Sequence, residues 1–315
     1  KRDQIINFGN LNKNDTVLEI GTGIGTLTLE IARKAKKVIA IEQDANIYKI
    51  LTKRLEDEQI DNVEPINDDA LSVDFPKFNK IVSNLPYQIS SPITFKFLEY
   101  DFDLAILMYQ KEFAERMNGK VGTKDYSRLS AMLYFKCNIE TLTDVSSESF
   151  IPKPKIDSTV VKLTPKENKI DVTDFRTYSK FTKALFQHRN KKIKNALIDS
   201  RHIINNIDKK ILKQRLNSIE DDELNEYLSK RVVALTPEEI LKLSILSLYL
   251  RISMLFRAVL TAQRRLSRAT RLFSSSSTQS TSLLSTLKTA RQLVPSMQQK
   301  NRRKSSIQST FSPIS

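Results

Sequence analysis

An open α/β sheet followed by a small helical domain is the fold class that this 315-residue sequence predicts, and three observations point to it. Apolar runs of strand length alternate with stretches of helical spacing through the first half. Three of the six glycines crowd between the first such run and the first helical stretch. Residues 173–248 contain no glycine and keep a helical apolar spacing. Repeated strand and helix units imply a parallel sheet with helices on both faces.

Taken in order, "TVLEI" (16–20) reads as a buried strand, with a helix from about Thr26 and a second strand at "KVIAIE" (37–42). The next helix places Ile47, Ile50, Leu51 and Leu55 at helical spacing. "VEPI", "KIVSNL" and "DLAILMY" are further strand-length runs. Around "FIPKPKIDSTVVKLTP" (150–165) prolines accumulate, and the β-branched run Thr159 to Leu163 is expected to close the sheet. The expected division is a sheet domain at 1–168, a helical domain at 169–248 and a tail at 249–315. The tail has no acids and much Ser, Thr, Gln and Arg, and it is read as a disordered basic extension. Its amphipathic stretch looks like an organelle transit peptide, which belongs at the other end of a chain. The sequence opens on Lys1, so its natural start is read as missing.

The net charge is +15, but the last acid is Glu239 and thirteen Lys or Arg follow it. The preceding body is nearly neutral, so the overall charge is no argument for nucleic-acid binding by the body. Cys137 is the single cysteine; it has no disulfide partner, no zinc cluster to join, and reads as a small apolar filler. His188 and His202 show no metal spacing with Cys or acids, so no metal is expected. No apolar stretch is long enough to span a bilayer, and a reducing, cytoplasmic setting fits.

"LEIGTGIGTL" puts Gly21, Gly23 and Gly25 after a strand and at the mouth of a helix. Glycine there accepts unusual dihedrals and lets a ligand approach the backbone, while a helix start offers unpaired N–H groups. The dinucleotide fingerprint needs Gly or Ala where Thr26 stands, which argues against a dehydrogenase. The G-x-G-x-G form preceded by Glu19 resembles the loop of S-adenosylmethionine-dependent methyltransferases. Glu42, ending the second strand, is placed to accept from ribose hydroxyls, and Asp69 in "NDDAL" from an adenine amino group. Singly, each acid also reads as a cap or a solvated charge, and the loop as a tight turn.

"SNLPY" ends the fourth strand, at the carboxyl edge where open α/β sheets bind ligands. Asn84 offers a side-chain carbonyl to an exocyclic amine, and a neighbouring backbone carbonyl offers a second acceptor. Two acceptors favour the tetrahedral, more nucleophilic form of an aryl amine and disperse its developing charge. Pro86 stiffens the turn. Tyr87 is placed to stack on a base flipped out of its helix. In isolation the motif also reads as an ordinary turn with a core tyrosine.

Taken together, "EIGTGIG", "IEQD", "DDAL" and above all "NLPYQISSPITFKFL" resemble the ribosomal RNA adenine dimethyltransferase family of the KsgA type, most closely its archaeal and eukaryotic branch. "LMYQKEFAERM", "GTKDYSRLS", "FIPKPKIDSTVVKL" and "FQHRNKKIKNAL" extend the similarity to about residue 248. The resemblance implies a Rossmann-like methyltransferase sheet at 1–168 with a helical RNA-binding domain at 169–248. The implied activity dimethylates N6 of two neighbouring adenosines near the 3′ end of small-subunit rRNA, within ribosome biogenesis. It implies S-adenosyl-L-methionine as cofactor, with Glu19, Gly21, Gly23, Gly25, Glu42, Asp69, Ala70 and Asn84 as the candidate cofactor residues. Asn84, Leu85, Pro86 and Tyr87 are the implied target-amine site, and transfer is a direct displacement without a metal. The implied partner is the pre-small ribosomal subunit, met by a monomer. Arg189, Lys191, Lys192 and Lys194 in "HRNKKIKN" are the candidate RNA patch, expected within two helical turns, with a solvated helix face as the alternative. The resemblance also implies an N-terminal segment that covers the cofactor, and it is read as missing before Lys1. Two other readings stay open: an Erm-type large-subunit methylase, and an assembly or transcription factor that keeps the fold with catalysis secondary.

Overall fold

The computed structural model describes residues 2–149, 155–167, 172–204, 207–220 and 222–244. All fall in one compact unit, Lys1–Leu248. The proline-rich residues 150–154, the 168/169 boundary and the tail lie outside the described residues.

The sheet half runs α1 (Arg2–Phe8), β1 (Thr16–Ile20), α2 (Thr28–Lys34), β2 (Lys37–Glu42), α3 (Ala45–Asp57), β3 (Val63–Asn67), β4 (Lys80–Asn84), α4 (Ser90–Phe97), β5 (Leu104–Gln110), α5 (Lys111–Met117), α6 (Arg128–Lys136), β6 (Cys137–Val145) and β7 (Ser158–Pro165). The strand order is β3-β2-β1-β4-β5-β7-β6. The central strands are apolar on both sides because both sides are covered. Leu18, Ile20, Ile39 and Ile41 enter one core, while Val17, Val38 and Ala40 enter the other. On α3, Leu51 and Leu55 are buried as expected, whereas Ile50 is 52% exposed and lies off the buried stripe.

The sheet is mixed rather than all parallel, and Thr159 to Leu163 does not close it. Those residues belong to β7, which runs antiparallel between β5 and β6. The described part of the connection from β6 to β7 carries only the one-turn helix Ser147–Ser149, and the two strands pair antiparallel. The true edge, β6, escapes a search for apolar runs. Asn138, Glu140, Thr141 and Asp144 are exposed, and a register shift between Thr141 and Thr143 breaks the alternation. Pro65 is tolerated in β3 because β3 is the opposite edge. Cys137 is buried in the sheet core, as a filler should be.

Beyond the sheet come α7 (Val172–Phe186), α8 (Ile193–Asp199), α9 (Arg201–Ile204), α10 (Lys209–Asn217) and α11 (Asp222–Ser229). They enclose a third core with Tyr178, Leu185, Ile193 and Leu197, to which Tyr126, Ala131 and Met132 also contribute. The Tyr178 hydroxyl donates to the Ala131 carbonyl at 2.8 Å, and that of Tyr126 to the Leu235 carbonyl at 2.8 Å. α6 therefore links the helical layer to the sheet. Among the described residues no helix is long and apolar enough to cross a membrane.

Candidate active site

The strand order reverses between β1 and β4, where open α/β sheets form a crevice beyond the carboxyl ends of the strands. β1 and β4 pair only at Val17–Lys80 and Leu18–Ile81. Past that point the buried Ser83 hydroxyl donates to the Ile20 carbonyl at 2.7 Å and accepts from the Ile20 N–H at 3.3 Å. A side chain thus replaces the missing ladder bond, and the splayed strands stay polar-satisfied.

Gly21, Gly23 and Gly25 all hold positive φ, at 69°, 55° and 85°. At Gly21 an added Cβ would lie 2.6 Å from Pro86 Cγ and 2.8 Å from its Cδ, whereas at Gly23 it would meet nothing within 4 Å. The loop is packed tightly on Pro86 and open at Gly23, where a ligand has room. Glu42 is 8% exposed; its Oε2 accepts from the Gly23 N–H at 2.9 Å and its Oε1 from the Asp44 N–H at 3.0 Å. Each oxygen keeps acceptor capacity, so a pinned carboxylate of this kind suits a ribose diol. Asp69 Oδ1 accepts from the Leu71 N–H at 2.9 Å, which sets the turn after β3. Ala70 is buried, and its carbonyl accepts from Lys96 Nζ at 2.8 Å. Lys96 also donates to the Val73 carbonyl and sits 4.2 Å over the Phe75 ring. It is a positioning residue that fixes the turn after β3, a role the sequence motifs do not reveal.

Asn84 is the last residue of β4; its side chain is exposed and bonded to none of the described residues. Leu85 is 2% exposed and its side chain belongs to the sheet core, so any part it plays in the site is its backbone's. Tyr87 opens a one-turn helix, Tyr87–Ile89, and its hydroxyl lies 2.6 Å from Ser158 Oγ at the start of β7. That bond holds a half-buried ring in place. Beside it is a hollow of about 250 Å³ lined in part by Gln88, Ser91, Phe95, Phe113, Arg116 and Arg128.

Residues 2–230 match the ribosomal RNA adenine dimethylase family. The chain belongs to that family. It is similar to a probable ribosomal RNA small subunit methyltransferase A of Methanosphaera stadtmanae, at 52% identity over 78% of this chain and 88% of the relative. A relative of the same name from Methanococcus aeolicus is 50% identical, over 75% of this chain and 87% of its own. Among solved structures, a dimethyladenosine transferase from Plasmodium falciparum aligns with TM-score 0.64 and 33% identity, over 77% and 93% of the two chains. The 23S rRNA methyltransferase ErmE aligns with TM-score 0.53 and 26% identity, over 77% and 95%. The seven-stranded order is that of S-adenosylmethionine-dependent methyltransferases, and the dimethylase takes S-adenosyl-L-methionine as its methyl donor.

The acids of the dimethylase fit a cationic cofactor. Glu19 is 2% exposed and its Oε2 has no partner among the described residues. Burial pushes its carboxyl up to about 8, the Thr28 hydroxyl opposing the shift and the Glu42 charge adding to it. A bound cation restores the charged form. In the apo protein the unfolded chain releases this proton near the ordinary carboxylate value, while the folded chain holds it to about 8. Between those values the native state binds more protons, so stability falls as pH rises and levels off above about 8. Glu19→Gln is expected to flatten that slope and to raise the melting temperature at pH 8 more than at pH 5, as thermal melts across pH will show.

The basic patch of the dimethylase is not one helix face. α8 begins only at Ile193, because the Ile193 N–H is taken by the Lys230 carbonyl and the Lys191 carbonyl by the Val232 N–H. The Arg189 guanidinium donates to the Lys124 and Thr123 carbonyls at 2.8 and 3.1 Å, and Lys191 pairs with Asp199 at 2.8 Å. Lys192 is exposed and Lys194 half-buried. Among the described residues no group of three or more His, Cys, Asp or Glu could hold a metal.

Proposed function

We propose that this dimethylase converts two adjacent adenosines near the 3′ end of small-subunit rRNA to N6,N6-dimethyladenosine, acting as a cytoplasmic monomer on the maturing small subunit. The observation that supports the reading best is the apposition of Pro86 on Gly21, which packs the "NLPY" turn against the cofactor loop. Donor and acceptor sites are then built on one rigid contact, and alignment of this kind lowers the barrier to displacement. The relatives at about half identity, named for the small subunit, favour that target over the large-subunit reading, whose solved counterpart is 26% identical.

When bound, S-adenosyl-L-methionine supplies an electrophilic methyl group. Glu42 and Asp69 would hold its ribose and adenine, and the open face at Gly23 its passage along the loop. Asn84 Oδ1 and a carbonyl of the turn would accept both hydrogens of the adenine N6 and stabilise the charge that grows there during attack. Tyr87 would stack on the flipped base, a contact worth roughly 1 to 3 kcal/mol. The helical layer after residue 169 would supply RNA contacts.

Incubating the protein with under-methylated small subunits and labelled donor should place label in dimethyladenosine of the small-subunit rRNA. Label confined to large-subunit rRNA would move the protein to the Erm-type reading, and no label in either would reject the enzymatic one.

A further inference from the structure

We propose that a basic groove along α6 and α7 seats the phosphodiester backbone of the RNA strand that leads to the target adenosine. The inference rests on RNA being the substrate, and it concerns residues outside the 188–194 patch and outside the cofactor crevice. A cleft of about 910 Å³ runs between the loop after α4 and the facing sides of α6 and α7. Its lining includes five cations, Arg128, Lys136, Arg176, Lys180 and Lys183, and two acids, Glu99 and Asp101.

What sets these cations apart is that they converge on one concave surface. Lys37, Lys162, Lys191 and Lys242 each sit against a carboxylate. Arg128, Arg176, Lys180 and Lys183 have no ion pair among the described residues. Arg176, Lys180 and Lys183 are exposed and follow one another at helical spacing on α7, an arrangement of like charges that destabilises an isolated helix. At 1.5 Å per residue they cover about 10 Å of groove. Cations that outnumber the acids five to two in a concave surface attract a polyanion, and RNA backbone is the polyanion this family handles.

Arg128 joins this groove to the reaction site. It lines the large cleft and also the hollow beside Tyr87. Its guanidinium lies 4.2 Å over the Phe95 ring, and its Nε is buried with no hydrogen-bond partner. A half-buried, unpaired guanidinium is a costly arrangement alone and a ready one for a phosphate, which accepts from the planar fork in two places. Stacking on Phe95 holds that fork fixed. A strand whose base enters at Tyr87 therefore meets Arg128 first and α7 afterwards.

The test uses the full chain and an RNA fragment from the 3′ end of small-subunit rRNA, with affinity measured across salt concentration. The triple variant Arg176→Ala, Lys180→Ala, Lys183→Ala should bind at least tenfold more weakly near 0.1 M salt. Its log–log salt slope should fall by about 2, each lost phosphate contact removing roughly 0.7 to 0.9. S-adenosyl-L-methionine affinity should stay unchanged, which also reports an intact fold. Lys180→Glu alone should shift affinity in the same direction. An unchanged slope in the triple variant, or a larger loss from Lys192→Ala with Lys194→Ala than from the triple, overturns the groove. So does a wild-type groove that binds poly-glutamate and releases none of it to RNA. If the protein methylates only large-subunit rRNA, the small-subunit reading falls, while the same slope loss on that RNA leaves the groove standing.

Discussion

Asn84→Ala should slow methyl transfer at least a hundredfold, roughly 3 kcal/mol of transition-state stabilisation, while S-adenosyl-L-methionine affinity moves by only a few-fold. The side chain of Asn84 takes no part in holding the fold together. It is exposed at the end of β4 and holds no other described residue, so truncating it removes little from the fold. Its neighbours in the turn are structural: Leu85 fills the sheet core, Pro86 packs on the glycine loop and Tyr87 is tied to Ser158. An otherwise idle amide on so fixed a frame is explained by a group that arrives with the substrate. An adenine N6 is a weak nucleophile until both hydrogens are accepted, and the growing charge makes that contact stronger in the transition state than in the ground state. Asn84→Asp keeps an acceptor oxygen and should retain more activity than Asn84→Ala. Single-turnover transfer of labelled methyl, with calorimetry of the donor, separates the two effects. A normal transfer rate in Asn84→Ala would remove the residue from the chemistry. In cells, normal subunit maturation without methylation would leave the assembly role standing alone.

The parts of the site that could be read from the sequence are those where chemistry restricts both residue type and chain position. A backbone that must turn left-handed three times within five residues needs Gly21, Gly23 and Gly25, and the positive φ angles bear this out. An acid at the end of β2 is visible because the strand is visible, and Glu42 does reach back to Gly23. Where burial is one-sided the signal fails: β6 shows water its Asn, Glu, Thr and Asp and hides too few apolar residues to register as a strand. Periodicity also cannot see backbone competition. Residues 188–194 look helical by spacing, yet the main-chain groups of residues 191–193 are claimed by the segment at 230–232. Lys96 and Arg128 lie within the family's motifs, yet the sequence shows no role for them, since what they touch lies more than twenty residues away in the chain. The cations of α7 stand at plain helical spacing, but only the tertiary fold sets them across from Lys136 and Arg128.

Gly21→Ala should be far more damaging than Gly23→Ala. Both positions have positive φ, and placing alanine there costs about 1–2 kcal/mol. At Gly23 that is the whole penalty in the free protein, because the added methyl enters open space; the further loss should appear as weakened donor binding. At Gly21 the methyl would come within 2.6 Å of Pro86, a ring held by its own backbone and unable to swing aside. Overpacking of this sort adds roughly 1–3 kcal/mol, so a total of about 2–5 kcal/mol and a melting-temperature drop on the order of 10 °C are expected. The two variants should also fail differently in turnover. Gly23→Ala should raise the apparent KM for the donor, whereas Gly21→Ala, by pushing Pro86, should displace Asn84 and Tyr87 and lower kcat even at saturating donor. Replacing Pro86 by Ala in the Gly21→Ala background removes Cγ and Cδ, the atoms in conflict. If the contact is what joins the two halves of the site, the double variant should recover stability relative to Gly21→Ala alone, giving a coupling energy on the order of 1 kcal/mol in a double-mutant cycle. Strict additivity of the two substitutions would show that the loop and the "NLPY" turn act independently, and the alignment argument would lose its physical basis.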